Sequence, residues 1–72
     1  MSDVIDKDRE AIEEAYEERL HLLFIGLATN LGDMPVSHRT EQQCIDIFKT
    51  GLKTAKRARQ LALDIVGAAP SA

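Results

Sequence analysis

Seventy-two residues with a net charge of −3 and an isoelectric point near 5.2 make one small domain, without the basic excess of a general nucleic-acid binder. Gly, Pro and aromatic residues are few, while Ala, Leu, Ile, Glu, Lys and Arg dominate, which favours helices over strands. The lone Cys44 excludes an internal disulfide and fits a reducing cytoplasm, and the polar opening MSDVIDKDRE is unlike a secretory signal.

The first element is expected as a helix over about residues 3–31. Ser2 or Asp3 can cap it, and Asp3, Asp6 and Asp8 suit the positive end of its dipole. Apolar residues recur with the helical period at Ile5, Ile12, Tyr16, Leu20, Leu23, Phe24, Leu27 and Leu31. Its densest stretch, Leu20 to Ala28, falls far short of the roughly 20 apolar residues that span a bilayer, so no membrane segment is expected. Gly32 reads as a C′ glycine, and residues 32–40 as a turn in which Pro35 prevents the helix from continuing.

Thr40 followed three residues later by Gln43 is a capping-box pattern, so a second helix should run over about 41–67. Its stripe is Ile45, Phe48, Leu52, Ala55, Arg59, Ala62, Leu63 and Val66, and residues 68–72 read as a frayed tail. Two helices of similar length joined by a short turn should form an antiparallel hairpin, one all-α domain over 1–72. With the turn centred on Val36, apolar residues pair in layers: Leu27 with Ile45, Phe24 with Phe48, Leu20 with Leu52, Tyr16 with Ala55 and Ile5 with Val66.

That seam leaves apolar residues over. The first helix carries a second stripe of Ala11, Ala15, Leu22, Ile25 and Thr29, and the second helix one of Ile47, Gly51, Thr54, Ala58, Leu61 and Ile65. Each lies roughly 120–150° from its own seam and in the same rotational sense, which in an antiparallel pair puts both on one side. The interface residues expected there are Leu22, Ile25, Thr29, Ile47, Gly51, Ala58, Leu61 and Ile65. Such a face calls for cover, either a second hairpin completing a four-helix bundle or a helix of another protein. Gly26 and Gly51 each cost a helix about 1 kcal/mol relative to alanine, which close approach of a partner would explain.

Four constellations bear on chemistry. Lys49, Lys53, Lys56 and Arg57 form a basic face that could track phosphates, but the register sets Glu17 near Lys53 and Lys56, and Glu13 near Arg57, so interhelical ion pairs are expected instead. Glu18 and His21 match the E-x-x-H spacing of di-iron bundles, yet His21 projects among Glu10, Glu14 and Glu17 on the polar side and no metal or cofactor is expected. Cys44, near the turn with His38 within possible reach, reads as a small buried hydrophobe rather than a nucleophile. Arg59, in a seam position opposite Ile12, should pack its stem and carry its head to Glu10, Glu13 or a dimer partner.

Arg59 and the turn residues Met34, Val36 and Arg39 are the candidate recognition residues. With no catalytic set in view, the chain is expected to be a non-enzymatic regulatory adaptor, such as an antiactivator sequestering a transcription factor. It is expected to bind itself as a homodimer and to bind another protein. The alternative is a nucleic-acid-binding four-helix-bundle dimer using Lys49, Lys53, Lys56 and Arg57.

Overall fold

The capping box forms as its spacing requires. The Gln43 backbone N–H donates to Thr40 Oγ1 at 3.1 Å, and the Thr40 N–H donates to Gln43 Oε1 at 2.9 Å. Two of the orphan donors at a helix start are thereby satisfied, which fixes Glu41 as the first helical residue. The computed structural model of the chain describes the backbone of residues 3–68 and the side chains of residues 6–68. The described residues form three helices: α1 over Asp3–Gly32, a single turn α2 over Met34–Ser37, and α3 over Glu41–Gly67.

The chain is an all-α helical hairpin, with α1 packed along α3. The Ser2 cap, the pairing of Ile5 with Val66 and tail residues 69–72 lie outside the described residues. Ala68, expected in the tail, instead closes α3, donating its N–H to the Asp64 carbonyl.

The turn departs from expectation at Gly32, which is the last residue of α1 and has no positive φ. Asp33 stays in the right-handed region and donates its N–H to the Thr29 carbonyl, so the α1 ladder runs one residue past the glycine. Pro35 does not prevent helix here but sits in the first turn of α2, where its missing N–H costs nothing. The left-handed residue that reverses the chain is His38, at φ 63°, with its N–H bonded to the Met34 carbonyl. Arg39 then ties the tip to the end of α1, its Nη1 donating to Asn30 Oδ1 at 2.8 Å.

Ile12, Tyr16, Leu20, Leu23, Leu27 and Leu31 of α1 are half-buried against Ile45, Phe48, Leu52, Ala62, Leu63 and Val66 of α3, with Ala55 buried and Cys44 fully buried between them. Gly51 lies under Leu23: a Cβ placed on Gly51 would stand 2.5 Å from Leu23 Cδ2. This contact sets the register, and it displaces the expected layer of Phe24 on Phe48. Leu23 takes the space that glycine leaves, and Phe24 is turned outward, 63% exposed.

A hairpin of two helices is one layer thick. The Cα atoms fill a rod of 56 × 15 × 11 Å, and the radius of gyration is 16.6 Å against about 11 Å for a compact domain of this length. Each long helix is therefore covered on one side only.

Candidate interaction surface

Helical geometry fixes what the uncovered sides carry. Relative to a seam centred on Tyr16, Leu23 and Leu27, residues Ala11, Ala15, Leu22 and Thr29 stand roughly 100–140° round α1, whereas Ile25, at roughly 180°, points straight out rather than onto the face expected for it. Ile47, Thr54, Ala58, Leu61 and Ile65 stand roughly 80–140° round α3 in the same sense, so both stripes open on one face, here the front. Leu22, Ile25, Ile47 and Leu61 are each 44–47% exposed, and Ile65 is 71% exposed. Thr29 and Ala58 are also exposed, whereas Gly51 sits at the edge of the seam and is already engaged by Leu23.

Two hollows interrupt the front face where small residues leave gaps between the helices. The larger, about 250 Å³, is lined by Ala15, Ala55, Ala58 and Ala62 together with Ile12, Tyr16, Arg19 and Arg59, and its walls are almost wholly apolar. The smaller, about 180 Å³, lies nearer the tip between Leu22, Gly26, Ile47 and Phe48. No atom stands within 4 Å of a Cβ built on Gly26, so that glycine, unlike Gly51, meets nothing within the hairpin.

Arg59 borders the larger hollow, and its head leaves the seam as expected. Its Nε donates to Glu13 Oε1 at 2.8 Å and its Nη2 to Glu13 Oε2 at 2.6 Å, a two-pronged pair that fits the guanidinium fork. The Tyr16 ring lies beneath, 5.4 Å from the guanidinium carbon, adding a cation–π contact that the sequence reading missed. The hydrogen bonds from Arg59, opposed by partial desolvation and helped by its charge, hold the Glu13 carboxyl below its ordinary value. The same bond to Glu13 raises Arg59.

Among the described residues this is the one ion pair. The expected contacts of Glu17 with Lys53 and Lys56, and of Glu13 with Arg57, do not form. Lys49, Lys53 and Lys56 project on the back face, Arg57 points straight out, and all four are exposed. Glu13 has a nearer cation in Arg59, and exposed lysines gain little from exchanging water for a carboxylate. Phe24 falls on this back face by helical position, an aromatic among charges rather than part of the apolar front.

At the tip, Val36 is 82% exposed and Met34 half-buried, and the Arg39 guanidinium is already engaged by Asn30. Glu18 and His21 are both exposed, and among the described residues no three His, Cys, Asp or Glu side chains gather closely enough to hold a metal ion. Cys44 is free and wholly buried. Among the described residues no helix is long and apolar enough to cross a membrane. No protein-family model, curated protein or solved structure matches the chain.

Proposed function

We propose that this chain is a non-enzymatic regulatory adaptor that works by protein–protein binding, such as an antiactivator that sequesters a transcription factor in a reducing cytoplasm. The observation that carries the reading is the front face, where Leu22, Ile47, Leu61 and Ile65 stand exposed together on a molecule one helix-layer thick. A contiguous apolar face of this kind marks an association surface. Its helical ridges suit other helices, from a second copy, from a target protein, or from both in exchange.

A photo-cross-linking residue at Val36 or Phe24, outside the front face, tests the adaptor reading in the cells that make the protein. The expected product is a specific adduct with one regulatory protein, lost on Leu22→Glu or when the exposed tip is altered. Adducts with no protein but the chain itself would refute it. A second reading, a nucleic-acid-binding dimer, draws on the absence of acidic partners for Lys49, Lys53, Lys56 and Arg57. Replacing those four by alanine distinguishes the two. RNA or DNA binding that is measurable in the native chain and vanishes in the variant would replace the adaptor reading.

A further inference from the structure

We infer that the front face seats an amphipathic, acid-bearing helix of another protein: two large apolar side chains fill the two hollows, and a carboxylate between them meets Arg19. This rests on the protein-binding reading and states the chemistry of the partner that its surface fits.

The first observation is a cation without a partner. Arg19 lines both hollows and so stands between them, in the middle of the apolar front. It is exposed, and among the described residues no carboxylate lies within ion-pair distance of it. The sequence explains why. One turn away on α1 are Ala15, Tyr16, Leu22 and Leu23, and across the larger hollow on α3 are Ala55, Ala58, Arg59 and Ala62. Glu18 stands roughly 160° from the seam, on the outside of α1. The hairpin thus supplies a carboxylate to Arg59 and leaves Arg19 to whatever covers the face. A wholly apolar cover would take that guanidinium out of water unpaired, at a heavy cost. A carboxylate in the cover removes the cost and offers the fork two acceptors.

The second observation is the spacing of the hollows. Ala15 and Ala58 keep the groove between α1 and α3 open at the larger one, and Gly26 does so at the smaller, so a third helix can settle there. On α1 the hollows are bounded by residues 12–19 and 19–30, which sets their middles roughly 14 Å apart at 1.5 Å per residue. In a helix, positions i and i+11 share a face and stand roughly 16 Å apart, with i+4 and i+7 between them on the same face. Large apolar residues at the outer positions reach both hollows. Asp or Glu at an inner position then lies over Arg19, whichever way the helix runs.

The third observation sets a second copy aside. On the front of this chain the acids stand only at the ends, Asp8 early in α1 and Asp33 at the tip. Two copies stacked along their full length, in either direction, bring a second Arg19 to the level of the first. Charge therefore selects a different protein.

The probe is a set of three fluorescent peptides of about 20 residues, long enough to hold a helix, with leucines eleven residues apart on an alanine and glutamine framework. At i+4 and i+7 between the leucines, the three carry Glu, Gln or Lys. Anisotropy titrations should find the Glu peptide tightest and the Lys peptide weaker by roughly tenfold or more. Arg19→Glu should invert that order, which loss of folding cannot do. Ala58→Phe fills the larger hollow from α3 and should weaken the Glu peptide by roughly tenfold, with helical circular dichroism kept. Equal binding of all three peptides, an order unmoved by Arg19→Glu, or no binding up to about 1 mM would overturn the proposal. So would a dimer of the native chain in sedimentation equilibrium that the Glu peptide does not displace, since the face would then belong to a second copy. If the peptides fail while a cellular adduct with a regulatory protein forms, the adaptor reading stands and only this partner chemistry falls.

Discussion

Gly51 and Gly26 lie in the middles of the two long helices, and the structure assigns them opposite responses to the same substitution. Alanine is about 1 kcal/mol better than glycine in a helix interior, and at Gly26, with open space beyond, that gain should be realised in full. At Gly51 the new methyl would stand 2.5 Å from Leu23 Cδ2, so Leu23 must leave its place. The displaced atom ends a flexible side chain, which puts the overpacking cost toward the lower part of its range, about 1–2 kcal/mol. Gly51→Ala should therefore be neutral or destabilising by about 1 kcal/mol after the propensity gain is subtracted. The two variants should differ by about 1–2 kcal/mol, roughly 4–16 °C in Tm for a domain of this size. Circular dichroism melts at one fixed protein concentration give the comparison, since self-association would otherwise move the midpoints. A third chain, Leu23→Ala, removes the clashing methyls, and in that background Gly51→Ala should recover about 1 kcal/mol. If Gly51→Ala stabilises as much as Gly26→Ala, with or without Leu23, the register described here is wrong.

Phe24→Ala should cost less than about 1 kcal/mol in urea unfolding, whereas Phe48→Ala, half-buried in the seam, should cost about 2 kcal/mol or more; equal losses would restore the Phe24–Phe48 layer. Thr40→Ala removes the capping box and should cost about 1 kcal/mol, read by the same unfolding curves, while Thr50→Ala on the exposed side of α3 should be nearly silent. The association proposed for the front face should be lost in light scattering on Leu22→Glu or Leu61→Glu, with helical circular dichroism kept, because both residues face away from the seam. Glu13 is held below its ordinary value of 4.5 when folded, so its contribution is present above that value and is lost as pH falls through the lower, folded one. The stability gap between the native chain and Glu13→Gln should therefore narrow on acidification below about pH 4.5 and stay flat above it; a gap that widens in acid would contradict the pairing with Arg59.

Local chemistry was legible in the sequence wherever it was self-contained. The Thr40–Gln43 box needs only four residues, and it placed the start of α3 without reference to anything distant. The pairing of helices was legible to within a residue or two, since Glu13 with Arg59 and Leu23 with Gly51 both sit close to the expected register. Which neighbour fills a given layer was not. Periodicity ranks Leu23 and Phe24 alike, and only the space above Gly51 decides that the leucine goes in and the phenylalanine comes out. The turn misled for a similar reason, because glycine and proline signal a break without saying where the chain reverses. Here Gly32 completes a helix, Pro35 begins one, and His38 takes the left-handed step. The front face was legible as a stripe on each helix, but its hollows, the larger among alanines of both helices and the smaller beside Gly26, exist only once the helices are packed.

Cys44 gives the molecule an internal clock. Its sulfur is sealed between α1 and the first turns of α3, so a thiol reagent in excess can label it only during moments when the helices part. If opening and reclosing are fast, the labelling rate divided by that of an unfolded thiol is the fraction of time the hairpin stands open. Because the thiol is near the turn rather than the chain ends, fraying at the termini leaves the signal untouched. Anything that clasps the hairpin, whether a second copy or a regulatory target, should slow this clock by the factor it adds to the closed state. Assembly can thus be followed through a sulfur that touches neither partner.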